Sequence, residues 1–340
     1  MTSRDRQRYS RQILVRALGE EGQQRLLDST AVIAGCGGLG TFLADALCRA
    51  GVGRLVLIDR DYVEFSNLQR QCLYRESDAE EGLPKAVAAA RRLAEVNSDI
   101  QIQAEVADLT ADNIGRLLDG AGVVLDGTDN FETRYLLNDF CVKHGIPWVY
   151  GGAVATYGTV MSVLPGETAC LKCIYPVAPP NGNVTCETVG VLNTVPAAVA
   201  ALQASEAIKI LAGRREAVSR RITSVDVWNG LVRQVQQPGP DPECAACGRR
   251  EFVHLEAPRR APLMLCGRNA VQIHEVPRQV NLEETARRLQ PLGQVRVNPY
   301  VLRFSVPPYE ITLFPDGRAI IKGTMDTGLA RSLYARYIGM

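Results

Sequence analysis

The sequence predicts an α/β fold, a mostly parallel sheet with an antiparallel portion, followed by a small α+β unit. Three observations carry that expectation. From residue 30 to about 160, short β-rich apolar runs alternate with helical patterns, the rhythm of a parallel sheet covered on both faces. After Gly151 the rhythm changes to long strand-like stretches on either side of an alanine-rich helix. A linker over 251–262, centred on a run with Pro258 and Pro262, then separates a last region with strand and helix signals of its own. Three segments follow: a main unit over 1–250, the linker 251–262, and an α+β extension over 263–340.

Taken in order, residues 30–35 read as a buried strand, 39–50 as a helix and 54–59 as the next strand. Pro84 sits near the first position of a helix running to 96, with alanines through its body. A strand over 100–106, a helix near 112–118, a strand over 123–126, a helix over 132–143 and a strand over 147–150 complete the alternation. Residues 153–164 and 222–235 read as antiparallel strands around a helix over 195–212. Between 175 and 195 lies a long loop, a length that usually signals function. The last region reads as a strand over 263–273, a helix over 282–289, strands over 295–306, 310–314 and 319–322, and a helix over 328–338. Pro315-Asp316-Gly317 supplies the turn between the last two strands.

Composition narrows the chemistry. In 340 residues, 38 Lys plus Arg balance 37 Asp plus Glu, so bulk binding to nucleic acid or an anionic membrane is not expected. The three histidines, His144, His254 and His274, are too few and too late in the chain for a His-driven triad or a multi-His metal site. The first eight residues are polar, and the most apolar helix is interrupted by Gln203, Glu206 and Lys209. The expected setting is cytoplasmic, without a membrane. In such a setting the ten cysteines are more readily metal ligands, nucleophiles or core residues than disulfides.

Gly35-Cys36-Gly37-Gly38-Leu39-Gly40 joins a predicted strand to a predicted helix, the arrangement of a Rossmann-like phosphate-binding turn. Asp59 ends the next strand, where a carboxylate can accept ribose hydroxyls. Asp61, Asn67, Arg70 and Lys85 follow near the expected ligand crevice. Arginine can clamp phosphate oxygens and lysine can place a compact charge beside them. These cations favour a triphosphate; dinucleotide and mononucleotide both stay open on the residues alone. Asp129 follows another strand and can either hold Mg²⁺ or cap the next helix.

Two C-x-x-C clips, Cys170/Cys173 and Cys244/Cys247, stand 70 residues apart and suit four thiolates around one Zn²⁺. A closed shell of four thiolates implies a structural role. A thioredoxin-like redox pair competes, but neither clip reads as opening a helix after a strand. Cys186, in the long loop, is a candidate nucleophile with no activating His or Lys nearby in sequence. Cys36, Cys48, Cys72, Cys141 and Cys266 read as packing residues.

Together with Arg8-Tyr9-Ser10-Arg11-Gln12, Ser66 to Gln71, Pro84-Lys85 and Thr128-Asp129-Asn130, these motifs resemble the ThiF/MoeB family. Its members are adenylyltransferases that activate ubiquitin-like sulfur carrier proteins and are related to ubiquitin-activating enzymes. The resemblance ends near Cys247. It implies ATP at the glycine turn (Gly35, Gly37, Gly38, Gly40), Asp59 on the ribose, Asn67, Arg70 and Lys85 around the phosphates, and Asp129 on Mg²⁺. It further implies a homodimer in which Arg11 reaches the partner's ATP, and an acyl-accepting role for Cys186. The extension after the second clip resembles one found on some proteins of ThiF type, so the partner expected is a carrier of ThiS type, in thiamine thiazole biosynthesis, with one of MoaD type, in molybdopterin biosynthesis, as the alternative. No sulfur-transfer domain of rhodanese type follows the second clip, so sulfur would come from a separate donor such as a cysteine desulfurase. Two readings of other classes compete: an NAD-binding oxidoreductase, and a scaffold that binds a ubiquitin-like protein without activating it.

Overall fold

The computed structural model describes residues 1–177, 189–256, 263–265, 269–273 and 279–339. These residues divide into two compact units, Met1–Glu80 with Pro84–Glu256, and Glu81–Leu83 with Ala257–Met340.

The first unit is built on eight strands: β1 (Thr30–Ala34), β2 (Arg54–Ile58), β3 (Gln101–Glu105), β4 (Val123–Asp126), β5 (Trp148–Val154), β6 (Tyr157–Val163), β7 (Arg221–Asp226) and β8 (Leu231–Gln236). Their order is β3-β2-β1-β4-β5-β6-β7-β8. Strands β1 to β5 are parallel, and β5 to β8 pair antiparallel. The chain leaves β1 toward β2 and β3, then returns to lay β4 on its other side. This reversal places the carboxyl ends of β1 and β4 side by side, where open α/β sheets bind ligands.

Both faces of the parallel part are covered, which is why β1, β2 and β4 are apolar almost throughout rather than alternating. Eleven α-helical segments are described between residues 1 and 256, of which six matter for the site. They are numbered here α1 (Ser10–Ile13), α2 (Gly38–Ala50), α3 (Lys85–Val96), α4 (Phe131–His144), α5 (Leu171–Ile174) and α6 (Thr194–Leu211). Helices α2 and α6 pack on each other and on one face of the sheet. On the other face, Val32, Ala34, Val56 and Val124 join Leu136, Phe140 and Cys141 of α4 in one buried cluster, which also takes in Cys170 and Cys244. Among the described residues, α6 is the one helix long and apolar enough to cross a membrane. It is instead a core helix: Gln203 is fully buried and its Nε2 donates to the carbonyls of Asp126 (3.0 Å) and Val149 (3.1 Å).

Several long strand expectations resolve into hairpins. Residues 153–164 are not one strand; β5 and β6 meet at Ala155, whose φ of 51° turns the chain. Residues 222–235 split into β7 and β8 because Asp226 Oδ1 accepts from the backbone N–H of Trp228 (3.1 Å) and Asn229 (3.4 Å), closing a turn that ends at Gly230. The expected loop-like end of the unit is also partly ordered: Val253–Glu256 forms a helical turn packed on α4. Cys36, Cys48 and Cys141 are buried as expected; Cys72 is exposed, because it lies on the surface turn after Gln71 rather than within an apolar element. Cys266 lies outside the described residues.

The second unit is α+β. Its six strands are β9 (Leu263–Leu265), β10 (Ala270–Ile273), β11 (Gln294–Val297), β12 (Leu302–Val306), β13 (Tyr309–Leu313) and β14 (Ala319–Lys322), in the antiparallel order β11-β12-β13-β14-β10-β9. The expected strands over 263–273 and 295–306 are thus two pairs. Helices α7 (Leu282–Leu289) and α8 (Thr327–Tyr337) bury Leu289, Leu333 and Tyr334 against Val271, Phe304, Ile311 and Ile321. Each helix is capped by the residue its sequence offers: Asn281 accepts from Glu284 N at 3.1 Å, and Asp326 from Gly328 N at 2.7 Å.

The glycines of the first βα turn are there for different reasons. A Cβ at Gly40 would lie 1.8 Å from the Gly35 carbonyl oxygen, and one at Gly35, where φ is +92°, would lie 2.6 Å from the Gly127 carbonyl oxygen. At Gly37 nothing comes closer than 3.9 Å. Gly40→Ala is therefore expected to cost more than about 2 kcal/mol in denaturant unfolding, and Gly37→Ala less than about 1 kcal/mol. Equal midpoints for the two variants would show that the packing at Gly40 does not constrain the turn.

Candidate nucleotide site and cysteine cluster

The carboxyl ends of β1 and β4 are joined by backbone contact. Gly127 N–H donates to Ala34 O (2.8 Å), and Gly35 N–H donates to Ile58 O (2.8 Å). Helix α2 starts at Gly38 with Gly37 as its N-cap and no side chain capping it, so its first N–H groups face the crevice. A Cβ on Gly38 would touch Pro196 of α6 at 3.3 Å and lie 3.8 Å from the Arg70 side chain. Arg70 thus lies beside the glycine turn, its Nη1 bonded to Ser66 O at 3.0 Å.

Asp59 is held rather than loose. Its Oδ2 accepts from Cys36 N–H and its Oδ1 from Asp61 N–H, both at 2.7 Å. Burial raises its pKa, opposed chiefly by the charge of Lys85. Each oxygen keeps a lone pair for a further donor. Asp61 pairs with Lys85 Nζ at 3.2 Å, and both side chains are largely buried. A lysine ammonium has three donors, so this partner aims Lys85 without exhausting it. Asn67 is buried; its Oδ1 accepts from Glu64 N–H (2.9 Å) and caps a short helical turn that also positions Arg70.

Tyr74, which motif reading passed over, and Gln71, which it quoted without a role, complete this wall. The buried Tyr74 hydroxyl lies 2.7 Å from Cys36 O and 3.2 Å from Lys85 O, tying the glycine turn to the start of α3. Gln71 is 3% exposed and places Nε2 4.0 Å from the position of a Gly37 Cβ. Both lie in the segment after β2, and a polar side chain there is unremarkable until its burial is known.

Across the crevice, Asn130 and not Asp129 caps α4, accepting from Thr133 N–H at 2.8 Å. The Asp129 carboxylate is exposed; its one hydrogen bond among the described residues comes from the Asn130 amide at 3.4 Å, and the charges of Arg60 and Arg134 lie close enough to act on it. Arg134 lies beneath it, bound to Asp126. Burial works against the Arg134 charge, and Asp126 more than offsets this, raising its pKa.

Arg11 stands apart. Buried Tyr9 accepts from Asn97 Nδ2 (2.9 Å) and fixes the start of α1, on which Arg11 is exposed and its side chain makes no hydrogen bond or ion pair among the described residues. Cys186 lies outside the described residues. The chain on either side of 178–188 is anchored: the Tyr135 hydroxyl donates to Tyr175 O (2.7 Å), and Ala155 exchanges hydrogen bonds with Gly190 and Leu192, both 2.9 Å.

The two cysteine clips converge. The four sulfurs lie within 4.8 Å of one another, with Cys170 to Cys173 at 3.8 Å, Cys170 to Cys244 at 3.7 Å and Cys173 to Cys247 at 3.3 Å. A tetrahedron with Zn–S of about 2.3 Å has edges of about 3.8 Å, so the four fit one zinc ion. Cys170 does cap a one-turn helix, α5, contrary to expectation. The redox-pair reading still loses, since its sulfur lies as near to the other clip as to its own. Hydrogen bonding with Cys170 holds Cys173 low, at about 5, while burial first and then Cys173 push Cys247 up to about 12. Four thiolates so close repel one another, and a divalent cation offsets that repulsion.

Known proteins are similar to this chain over most of its length. The model of the ThiF family matches residues 9–246. The chain is 42% identical over 336 residues to the sulfur carrier protein ThiS adenylyltransferase of Bacillus subtilis, covering 98% of this chain and 99% of that protein. It is 37% identical over 266 residues to the sulfur carrier protein adenylyltransferase of Thermus thermophilus, covering 75% and 97%. The adenylyltransferase and sulfurtransferase MOCS3 of Sus scrofa is 42% identical over 247 residues, covering 72% of this chain and 54% of that protein. The crystal structure of E. coli MccB with ATP superposes with a TM-score of 0.62 at 25% identity, covering 71% of this chain and 74% of that one.

Metal analysis of the purified chain should give about one zinc per chain. Cys173→Ser should lose most of it and lower the unfolding midpoint; unchanged metal content and stability would exclude the four-sulfur site.

Proposed function

The chain belongs to the ThiF family, and on that premise we propose that it is an ATP-dependent adenylyltransferase that activates the C-terminal carboxylate of a ubiquitin-like sulfur carrier. The observation that carries the reading is that the glycine turn after β1, which opens a helix with no side-chain cap, is tied to Asp59 through Cys36 N–H and meets the turn before Asp129 through Gly127 N–H, while Asp61 holds Lys85. The carrier's terminal glycine carboxylate attacks the α-phosphorus of ATP. The new bond is the acyl–phosphate bond of an acyl adenylate; the bond that breaks is that from Pα to the bridging oxygen, and pyrophosphate leaves with its electrons.

Carboxylate is already the nucleophilic form, so no base is needed, and catalysis reduces to positioning and charge neutralisation. Asp59 accepts the ribose hydroxyls, the α2 N-terminus and the bare Gly37 take the phosphates, and Arg70, Asn67 and Lys85 surround them. Asp129 would hold Mg²⁺, which when bound supplies charge neutralisation at the phosphate oxygens. Zinc would tie the two clips together. In a homodimer, the exposed Arg11 reaches the partner's nucleotide.

A carrier of ThiS type is favoured because the Bacillus subtilis relative matches along both units. A carrier of MoaD type is the second reading, and the similarity to MOCS3 supports it. The setting is cytoplasmic, and sulfur comes from a separate donor.

Carrier-dependent ATP–pyrophosphate exchange with carriers ending in Gly-Gly tests the reaction. Lys85→Met is expected to lower the exchange rate at least about a hundredfold while the protein stays folded. Absence of exchange with every carrier, in Mg²⁺ and with zinc bound, would refute the activity; NADH binding in its place would favour an oxidoreductase. For Cys186, the variant Cys186→Ala should exchange normally and lose sulfur transfer if the thiol takes the acyl group. Full activity in both assays would remove that role.

A further inference from the structure

We infer that Arg134 is a positioning residue for the Mg²⁺ carboxylate: through Asp126 and Thr128 it sets the turn from which Asp129 projects. This rests on Asp129 as the Mg²⁺ ligand. The Arg134 side chain is 8% exposed and spends its fork on three acceptors in two separate pieces of chain. Nε donates to Asp126 Oδ2 at the end of β4 (2.9 Å), and Nη2 to Thr128 O (2.8 Å) and to Gly151 O in β5 (3.0 Å). The rings of Phe131 and Tyr150 lie 5.2 and 5.1 Å from the guanidinium carbon and confine it. The second oxygen of Asp126 accepts from Thr128 N–H (2.9 Å) and Thr128 Oγ1 (2.6 Å).

Residues 126 and 128 are thereby fixed on one side of Asp129, and the Asn130 cap fixes the other. Only the Asp129 side chain remains to adjust. Stability does not explain this arrangement, because a buried ion pair is often no better than an apolar pair of similar volume. A lysine could keep the charge but not the planar fork that reaches three acceptors at once.

The test is Mg²⁺ titration of carrier-dependent ATP–pyrophosphate exchange in the zinc-loaded full chain, with Arg134→Lys, Thr128→Val and Asp129→Asn. Outer groups that orient a metal ligand typically change metal affinity by about 10- to 100-fold. Arg134→Lys is expected to raise the half-saturating Mg²⁺ concentration roughly tenfold and Thr128→Val by a smaller factor. ATP affinity in EDTA and zinc content should stay at wild-type values, which a general loosening of the fold would not allow. If Asp129→Asn shifts the Mg²⁺ dependence but both other variants titrate as wild type, the positioning role is overturned. If Asp129→Asn itself titrates as wild type, the Mg²⁺ reading fails and this inference with it. Should Arg134→Lys not fold, Thr128→Val decides alone: a shifted titration supports the role and an unchanged one overturns it.

Discussion

The site depends on how closely two strand ends can approach. Ala34 and Asp126 end neighbouring parallel strands, and the turns that leave them touch through backbone atoms alone. That contact is possible because Gly35, Gly40 and Gly127 have no Cβ; at Gly35 and Gly127 the missing atom would stand 2.6 and 2.5 Å from the opposite carbonyl. With the two turns in contact, the N-terminus of α2 and the Asp126–Asn130 turn open onto one crevice. Charge placement on both walls follows from this backbone arrangement.

The walls are stiffened by buried polar pairs rather than by apolar packing. Asp61 aims Lys85, Asp59 ties down Cys36 and Asp61 through their N–H groups, and Tyr74 bridges the glycine turn to α3. Each would be costly if half made, since an unpaired buried charge or hydroxyl loses its hydration without return. Helix α4, which starts at the opposite wall, connects the crevice to the cysteine cluster. Its first turn carries Arg134, and further along Asn138 Oδ1 accepts from Leu171 N–H (2.8 Å) and Asp139 accepts from His254 N–H (3.0 Å). The segments that carry and follow the two clips are therefore read by the same helix that begins beside Asp129.

Much of this was legible because it is local. A strand, a glycine turn and a helix within 20 residues announce a phosphate site, and paired C-x-x-C clips announce a four-sulfur shell. Residues whose role comes from burial were not legible. Tyr74 and Arg134 are ordinary in the sequence, and only their enclosure turns them into ties between elements. The hairpin at Ala155 was hidden for a related reason: an alanine at positive φ carries no turn signature, and its conformation is held by pairing of β5 with β6 and by bonds to Gly190 and Leu192.

By itself, then, the sequence determined the α/β class, the phosphate-binding turn, the acidic and cationic residues around it and the four cysteines, because each is encoded in short-range pattern and side-chain chemistry. Tertiary structure decided the rest: that Asn130 takes the cap and leaves Asp129 exposed, that Lys85 is aimed by Asp61, that Cys72 faces outward, and that clips 70 residues apart meet. These outcomes depend on which groups become neighbours after the chain reverses at the β1–β4 switch, and contacts between residues distant in sequence leave no local pattern to read.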